Sequence, residues 1–419
     1  MKRLSTPWIL FLFLVRATFA QPQAPRITIE QAIQFALAHN HALEAARSTI
    51  MQNQAQEITA NLRPNPTLSW DSQFLPLFNL SQFNAAYLSN SAQFDLGIGY
   101  TLERGQKRQH RLQAAQDQTT VTRSQVADNQ RTLAFNVAQQ FVAVLLAESM
   151  IDLAQQDLAS FQQTVDLSEI QVKDGALSEG DAIKIKLQLL QFQNDVSSAK
   201  LSRVQALAAL RQLVGFESVP ENYDVNGTLD YQPIHADIEA LKMLAVNSRP
   251  DLAAARQGII AARSQESLAH ANGKRDLDVS FNYTHVADIN SGAFFFNMQI
   301  PVFDRNQGEI ARTRAAITQF QELAAEANEQ VMSDVVNAYE GVHTNDQIIT
   351  LYRSGYLDQT SQSRDISQYA YQRGATSLLD FLDAQRSYRA NQLSYRQALA
   401  AYMVALEQLR EAVGTRSLP

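Results

Sequence analysis

Two stretches decide how this chain is read: Gly175-Ala176-Leu177-Ser178-Glu179-Gly180-Asp181 and Gly374-Ala375-Thr376-Ser377-Leu378-Leu379-Asp380. They lie at an offset of about 199, and the match runs on without a gap to Val214-Gly215 on Val413-Gly414. Further toward the N-terminus, Asn40-His41-Ala42-Leu43-Glu44-Ala45-Ala46-Arg47 matches Arg249-Pro250-Asp251-Leu252-Ala253-Ala254-Ala255-Arg256 at an offset of about 209. A period this long is a duplicated domain rather than a solenoid, whose units run about 20–50 residues. The reading places the first repeat at 21–215, a linker at 216–235 holding Pro220, Gly227 and Pro233, and the second repeat at 236–419.

Between the matched stretches the chain reads as long helices. Residues 106–173 contain no proline and no glycine, and at 1.5 Å per residue such a helix spans about 100 Å. Val137, Val144, Ile151, Leu158, Val165 and Val172 recur every seventh residue, a coiled-coil seam on a helix otherwise rich in Ala and Gln. Val335, Val342, Ile349 and Tyr356 repeat the spacing before it fades. A thin apolar stripe suits a wall wetted on both sides better than a solid core.

Each half also carries two runs of alternating apolar and polar residues. The expected strands lie at 67–75 and 92–103, with Phe94, Leu96, Ile98, Tyr100 and Leu102 on one face, and at 276–285 and 293–303. Each run has the length of a tilted membrane strand. Four strands cannot close a membrane barrel, whose minimum is about eight, so several chains must share one; three chains would supply about twelve. The change of offset is read as a connection about nine residues longer in the first pair, over Leu75 to Ala92, the mark of an exposed loop.

Composition narrows the function. Lys2 and Arg3, the apolar run Trp8 to Val15 and the small residues before Ala20 read as a signal peptide over 1–20, so the mature chain is expected to be exported. Beyond it, no stretch is expected to approach a membrane-spanning helix. The formal charge of −7 argues against nucleic-acid binding. With no cysteine there is no disulfide, no thiolate metal site and no lipid anchor on an N-terminal cysteine. His39 and His41 are two apart and do not share a helix face, so no metal site is expected there. No catalytic triad or phosphate-binding glycine loop is recognisable, and neither an enzyme nor a cofactor is expected.

The order of these features resembles the outer-membrane efflux (TolC) family. Besides the duplication, its carriers are Leu62-Arg63-Pro64-Asn65-Pro66-Thr67-Leu68, Ile300-Pro301-Val302-Phe303-Asp304-Arg305-Asn306-Gln307-Gly308, and Arg373-Gly374-Ala375-Thr376-Ser377-Leu378-Leu379-Asp380-Phe381-Leu382-Asp383-Ala384-Gln385. The stretch Glu103-Arg104-Gly105-Gln106-Lys107-Arg108 is similar to the form in cobalt-zinc-cadmium efflux members. The resemblance implies a mainly α protein with a membrane β-barrel: a homotrimer sharing twelve strands in the outer membrane, four from each chain, continued by an α-helical coiled-coil barrel in the periplasm. Its partners would be outer-membrane lipid, a periplasmic adaptor and an inner-membrane pump. The cargo would be heavy-metal cations, with drugs or secreted proteins as alternatives.

The resemblance also assigns residues. Asp380 and Asp383, with Tyr371 and the first-half counterpart Asp181, would form the periplasmic constriction. Lys184 and Val172 stand where the first half would repeat Asp383 and Tyr371. Three copies of Asp380 and Asp383 would make a ring that favours cations. Gly175, Ala176, Leu177 and Ser178, with Gly374, Ala375, Thr376 and Ser377, would be the hairpin tips that meet the adaptor. Two plainer readings stand beside these: the aspartates as solvated surface acids, and the whole chain as a periplasmic coiled-coil scaffold.

Overall fold

The computed structural model describes residues 24–418; the expected signal peptide lies outside the described residues. A short strand β1 (Arg26–Ile27) leads into α1 (Ile29–His39) and α2 (His41–Asn61). Thr28 and Gln31 form a reciprocal capping box at the start of α1, and Asn40 caps α2 by accepting the Leu43 N–H. Pro64 and Pro66 follow α2, and the chain continues as β2 (Thr67–Gln73), α3 (Ala85–Asn90), β3 (Gln93–Leu102), α4 (Lys107–Lys173) and α5 (Glu179–Val214). A short strand, β4 (Asp224–Val225), precedes the second half. That half runs through α6 (Ile238–Ser248), α7 (Pro250–Asn272), β5 (Leu277–Val286), β6 (Ile289–Asn297), α8 (Gln307–Leu351), α9 (Leu357–Gln372) and α10 (Leu378–Val413).

The four longer strands form one antiparallel sheet in the order β2-β3-β5-β6. Register sets two unlike faces. On one, Trp70 stands opposite Leu96, Leu96 opposite Tyr283, and Ile98 opposite Phe281, which in turn faces Phe294. Much of this apolar face is bare in the single chain, with Leu68 77% and Phe296 67% exposed. The other face is polar: Thr101 donates to Asp278 at 2.6 Å, Gln93 to Asp95 at 2.8 Å, and Thr284 also to Asp95. A Cβ at Gly97 would collide there with Ser69 and Asn282.

The strand boundaries differ from expectation most in β6. It begins at Ile289 and ends at Asn297, so Met298 to Phe303 lie beyond the sheet rather than within it. Pro301 lacks an N–H to give the ladder, and the apolar alternation continues past the point where pairing stops. The connections differ too. β5 turns into β6 over Ala287 and Asp288 alone, with Ala287 at φ +49°, whereas β2 and β3 are joined by the whole of 74–92. The imbalance exceeds the nine residues inferred from the offset, because β5 and β6 both run further toward their turn than β2 and β3 do.

The helices pack around equivalent cores in the two halves. Ala36, Phe141, Leu210 and Val214 centre the first; Leu241, Val335, Leu409 and Val413 centre the second. Matching positions use different chemistry for one task. Asn40 donates from Nδ2 to the Leu213 carbonyl near the end of α5, and the buried Arg249 donates to the Ala412 carbonyl near the end of α10 while bound to Asp251 and Asp334. The segment 216–235 is not a bare linker. β4 pairs parallel with β1, and Val219, Tyr223 and Val225 are buried in the first core.

One window of α4 is apolar and long enough to pass for a membrane span, against the expectation that none would. It is half buried, and Val137, Phe141 and Val144 there belong to the first core. Of the predicted α4 seam, Val137, Val144 and Val165 are buried, while farther along the buried line passes through Ala154, Asp157, Phe161 and Ser168. In the second half a π-turn at Tyr352–Tyr356 interrupts the helix and holds Gly355 at φ +116°. This is why the seven-residue spacing fades there: Val335 and Ile349 are fully buried, but Tyr356 is half exposed.

Candidate functional site: the hairpin tips and the constriction

Both hairpin tips are built from the same local rules. α4 ends in a Schellman turn: Gly175 sits at φ +72°, its N–H donates to the Val172 carbonyl at 3.1 Å, and the Ala176 N–H reaches back to Gln171 at 2.8 Å. α9 ends likewise, with Gly374 at φ +70°, its N–H on Tyr371 at 3.0 Å and the Ala375 N–H on Ala370 at 2.8 Å. Two residues later a serine starts the return helix. Ser178 caps α5 by accepting the Asp181 N–H at 3.1 Å, and Ser377 caps α10 by accepting the Asp380 N–H at 3.2 Å.

Asp380, Asp181 and Tyr371 of the expected constriction have displaced pKa values. The Asp380 carboxylate accepts from Ser377 Oγ at 2.7 Å, Thr376 Oγ1 at 3.0 Å and the Ser377 N–H at 3.3 Å; these bonds, led by the Ser377 side chain, hold it below the usual range. Asp181 is lowered as well, first by Lys184 at 2.9 Å and then by Ser178. Asp383 lies three residues beyond Asp380 and pairs with Arg386 at 3.0 Å. Of the three aspartates, only Asp380 has no cationic partner among the described residues. Tyr371 is buried, its hydroxyl has no partner among the described residues, and burial followed by the Asp181 charge pushes its pKa up.

Within the single chain Tyr371 is packed against other rings. Its ring stacks on Phe381 at 5.4 Å, and Phe381 faces Phe161 at 6.4 Å, which packs on Phe192 at 4.7 Å. With Ile185 and Val165 these rings form a separate core that fastens the α9–α10 hairpin to the α4–α5 hairpin. Beside it lies an ionic cluster that sequence reading missed. Asp157 of α4 is buried within 3.5 Å of Arg389 of α10, and Arg389 also binds Asp195 of α5 and lies over the Phe192 ring at 5.1 Å. Burial pushes the Asp157 carboxyl up to about 6 against the opposing pull of Arg389, Arg364 and Arg396. The available signal was an aspartate within the apolar line of Leu153, Ala154 and Phe161.

The sequence profile described as "Outer membrane efflux protein" matches residues 32–216 and 242–415. The chain belongs to the outer membrane efflux protein family. CzcC of Cupriavidus metallidurans, a cobalt-zinc-cadmium resistance protein, is 24% identical over 95% of this chain and 90% of its own length. CusC of Escherichia coli K12, a cation efflux system protein, is 25% identical over 61% of this chain and 58% of its own length. The solved structure of the CmeC outer membrane channel of Campylobacter jejuni superposes with a TM-score of 0.77 over 99% of this chain and 94% of that one at 13% identity, a likeness of fold. As an outer membrane efflux protein, the chain is a channel and not an enzyme. The sheet is its outer-membrane part, and the helices extend from it into the periplasm. This displaces the scaffold reading.

Proposed function

We propose that this outer membrane efflux protein is a homotrimeric exit duct for heavy-metal cations, receiving them from a periplasmic adaptor and an inner-membrane pump. The observation that carries the trimer is the sheet itself. Four strands bear a bare apolar face, and β2 and β6 have no outer neighbour among the described residues. An open edge is not viable in lipid, so copies must pair β6 to β2 until a barrel closes. Twelve strands fall within the range observed for closed barrels, which the four of one chain do not reach.

The cation assignment is supported by the relatives' names and by the Asp380 carboxylate, whose pKa is lowered and which has no ion-pair partner among the described residues. In this reading three Asp380 side chains line the periplasmic constriction, while Arg386 offsets the charge of Asp383. The tips at Gly175–Ser178 and Gly374–Ser377 carry the adaptor contact. Deleting the chain from its host is the test. The deletion strain should become sensitive to cobalt, zinc or cadmium and not to detergents or dyes. Sensitivity to organic toxicants alone would replace metal export by drug export, and loss of a secreted protein would replace it by secretion.

A further inference from the structure

Basic residues are distributed around the sheet with one sharp rule. Neither 64–103 nor 276–304 contains a single Lys or Arg, yet Arg63, Arg104, Lys107, Arg108, Lys274, Arg275 and Arg305 crowd the places where strands meet helices. Some of these charges are already used. Lys107 binds Asp276 at 2.7 Å, Arg275 binds Asp304 at 3.1 Å, and nearby Arg111 binds Glu103 at 2.8 Å. Arg63, Arg104, Arg108 and Lys274 make no ion pair among the described residues. Arg63 and Arg108 border a groove of about 250 Å³ that is also lined by Tyr100 and Leu102, both on the apolar face of β3, and by Lys107 and Glu103, whose charges are taken up by Asp276 and Arg111. Arg104 continues that face: its guanidinium lies 3.2 Å from Met298 Sδ, just past β6. Lys274 lies across Gly105, where any Cβ would meet its stem.

The geometry points to a binding site for the phosphate of an anionic phospholipid in the leaflet on the helical side of the barrel. The apolar wall of Tyr100 and Leu102 would meet the start of the acyl chains. The guanidinium groups of Arg63 and Arg108, planar forks suited to phosphate oxygens, would hold the headgroup. A free anion would have no use for that wall, so charge and apolar surface together select a lipid. The absence of cations at the opposite end of the strands would make the hold one-sided and fix the depth of the barrel. This assignment is independent of the cargo.

The test is native mass spectrometry of the intact, delipidated oligomer titrated with phosphatidylglycerol or phosphatidylcholine. The wild type should retain the anionic lipid preferentially. R63Q/R108Q should weaken it by about fivefold for each cation removed, the equivalent of about 1 kcal/mol apiece. K200Q/K242Q, on the helices, should leave retention unchanged. If the double variant does not assemble as a heat-resistant oligomer, R108Q alone is judged by the same criterion. Equal retention by wild type and variant overturns the site. So does equal retention of the two lipids, or displacement of the lipid by millimolar inorganic phosphate.

Discussion

Replacing Asp157 with asparagine is expected to tighten the contact between the two hairpins at neutral pH. The carboxyl is buried and pushed up to about 6 from its ordinary value of 3.8. The folded protein therefore binds this proton more tightly than an unfolded chain does. Its contribution to stability is complete below the unfolded value and is lost as pH rises through about 6. A displacement of this size corresponds to roughly 3 kcal/mol against the ionised form at pH 8. That figure already contains the opposing pull of Arg389, which keeps Asp195 as a partner in the variant, but an asparagine N–H that finds no acceptor at the site gives part of it back. The net gain from Asp157→Asn should be about 1–2 kcal/mol at pH 8, a factor of about 5–30 in the opening equilibrium, and close to zero at pH 4. Hydrogen exchange of the α10 amides around Arg389, corrected for the intrinsic pH effect, reads it directly in the solubilised oligomer. Wild-type protection should fall between pH 4 and pH 7, and the variant should flatten that slope. Faster exchange in the variant at pH 8, or a wild type without a slope, would refute the reasoning.

Asp380→Asn should reduce block by divalent cations in planar bilayers, whereas Asp383→Asn should do little because Arg386 already offsets its charge; equal effects would remove the distinction between them. Phe381→Ala deletes the ring between Tyr371 and Phe161 and should cost about 3–5 kcal/mol locally. It would be seen as protease cleavage at the tips with the barrel still heat-resistant, and intact tips would contradict it. Gly175→Ala and Gly374→Ala meet no atoms within 4 Å but force a side chain into the left-handed region, at about 1 kcal/mol each. Hydrogen exchange of the two turns should rise modestly without loss of assembly, and unchanged exchange would mean the turns tolerate the strain.

Much of the fold was legible because it depends on regular signals. Alternation placed β3 and β5 to within a residue, and the lack of helix breakers across 106–173 matched α4 closely. The ends were less legible where two signals competed: apolar alternation ran on through Met298 and Ile300 after pairing had ceased. The π-turn at Gly355 left only a fading heptad, since one glycine in a long helix does not announce an extra residue. At the tips, glycine and serine spelled out turn and cap. The same letters could not say that Asp380 would receive three hydrogen bonds at once, or that Tyr371 would face a ring rather than water. Those outcomes depend on which hairpin packs against which, and Asp157, Asp195 and Arg389 meet only because α4, α5 and α10 do.

The twin tips carry a consequence for how the assembly is counted. Their backbones are near copies, down to the glycine turn and the capping serine, so a proposed trimer offers six similar prongs to anything that reads shape. Their charges are not copies, for Lys184 neutralises the aspartate of one prong while that of the other stays bare. A docking protein could therefore approach with sixfold order while a passing ion meets only threefold order. Gene duplication would thus have supplied one symmetry for assembly, and later divergence a lower one for traffic.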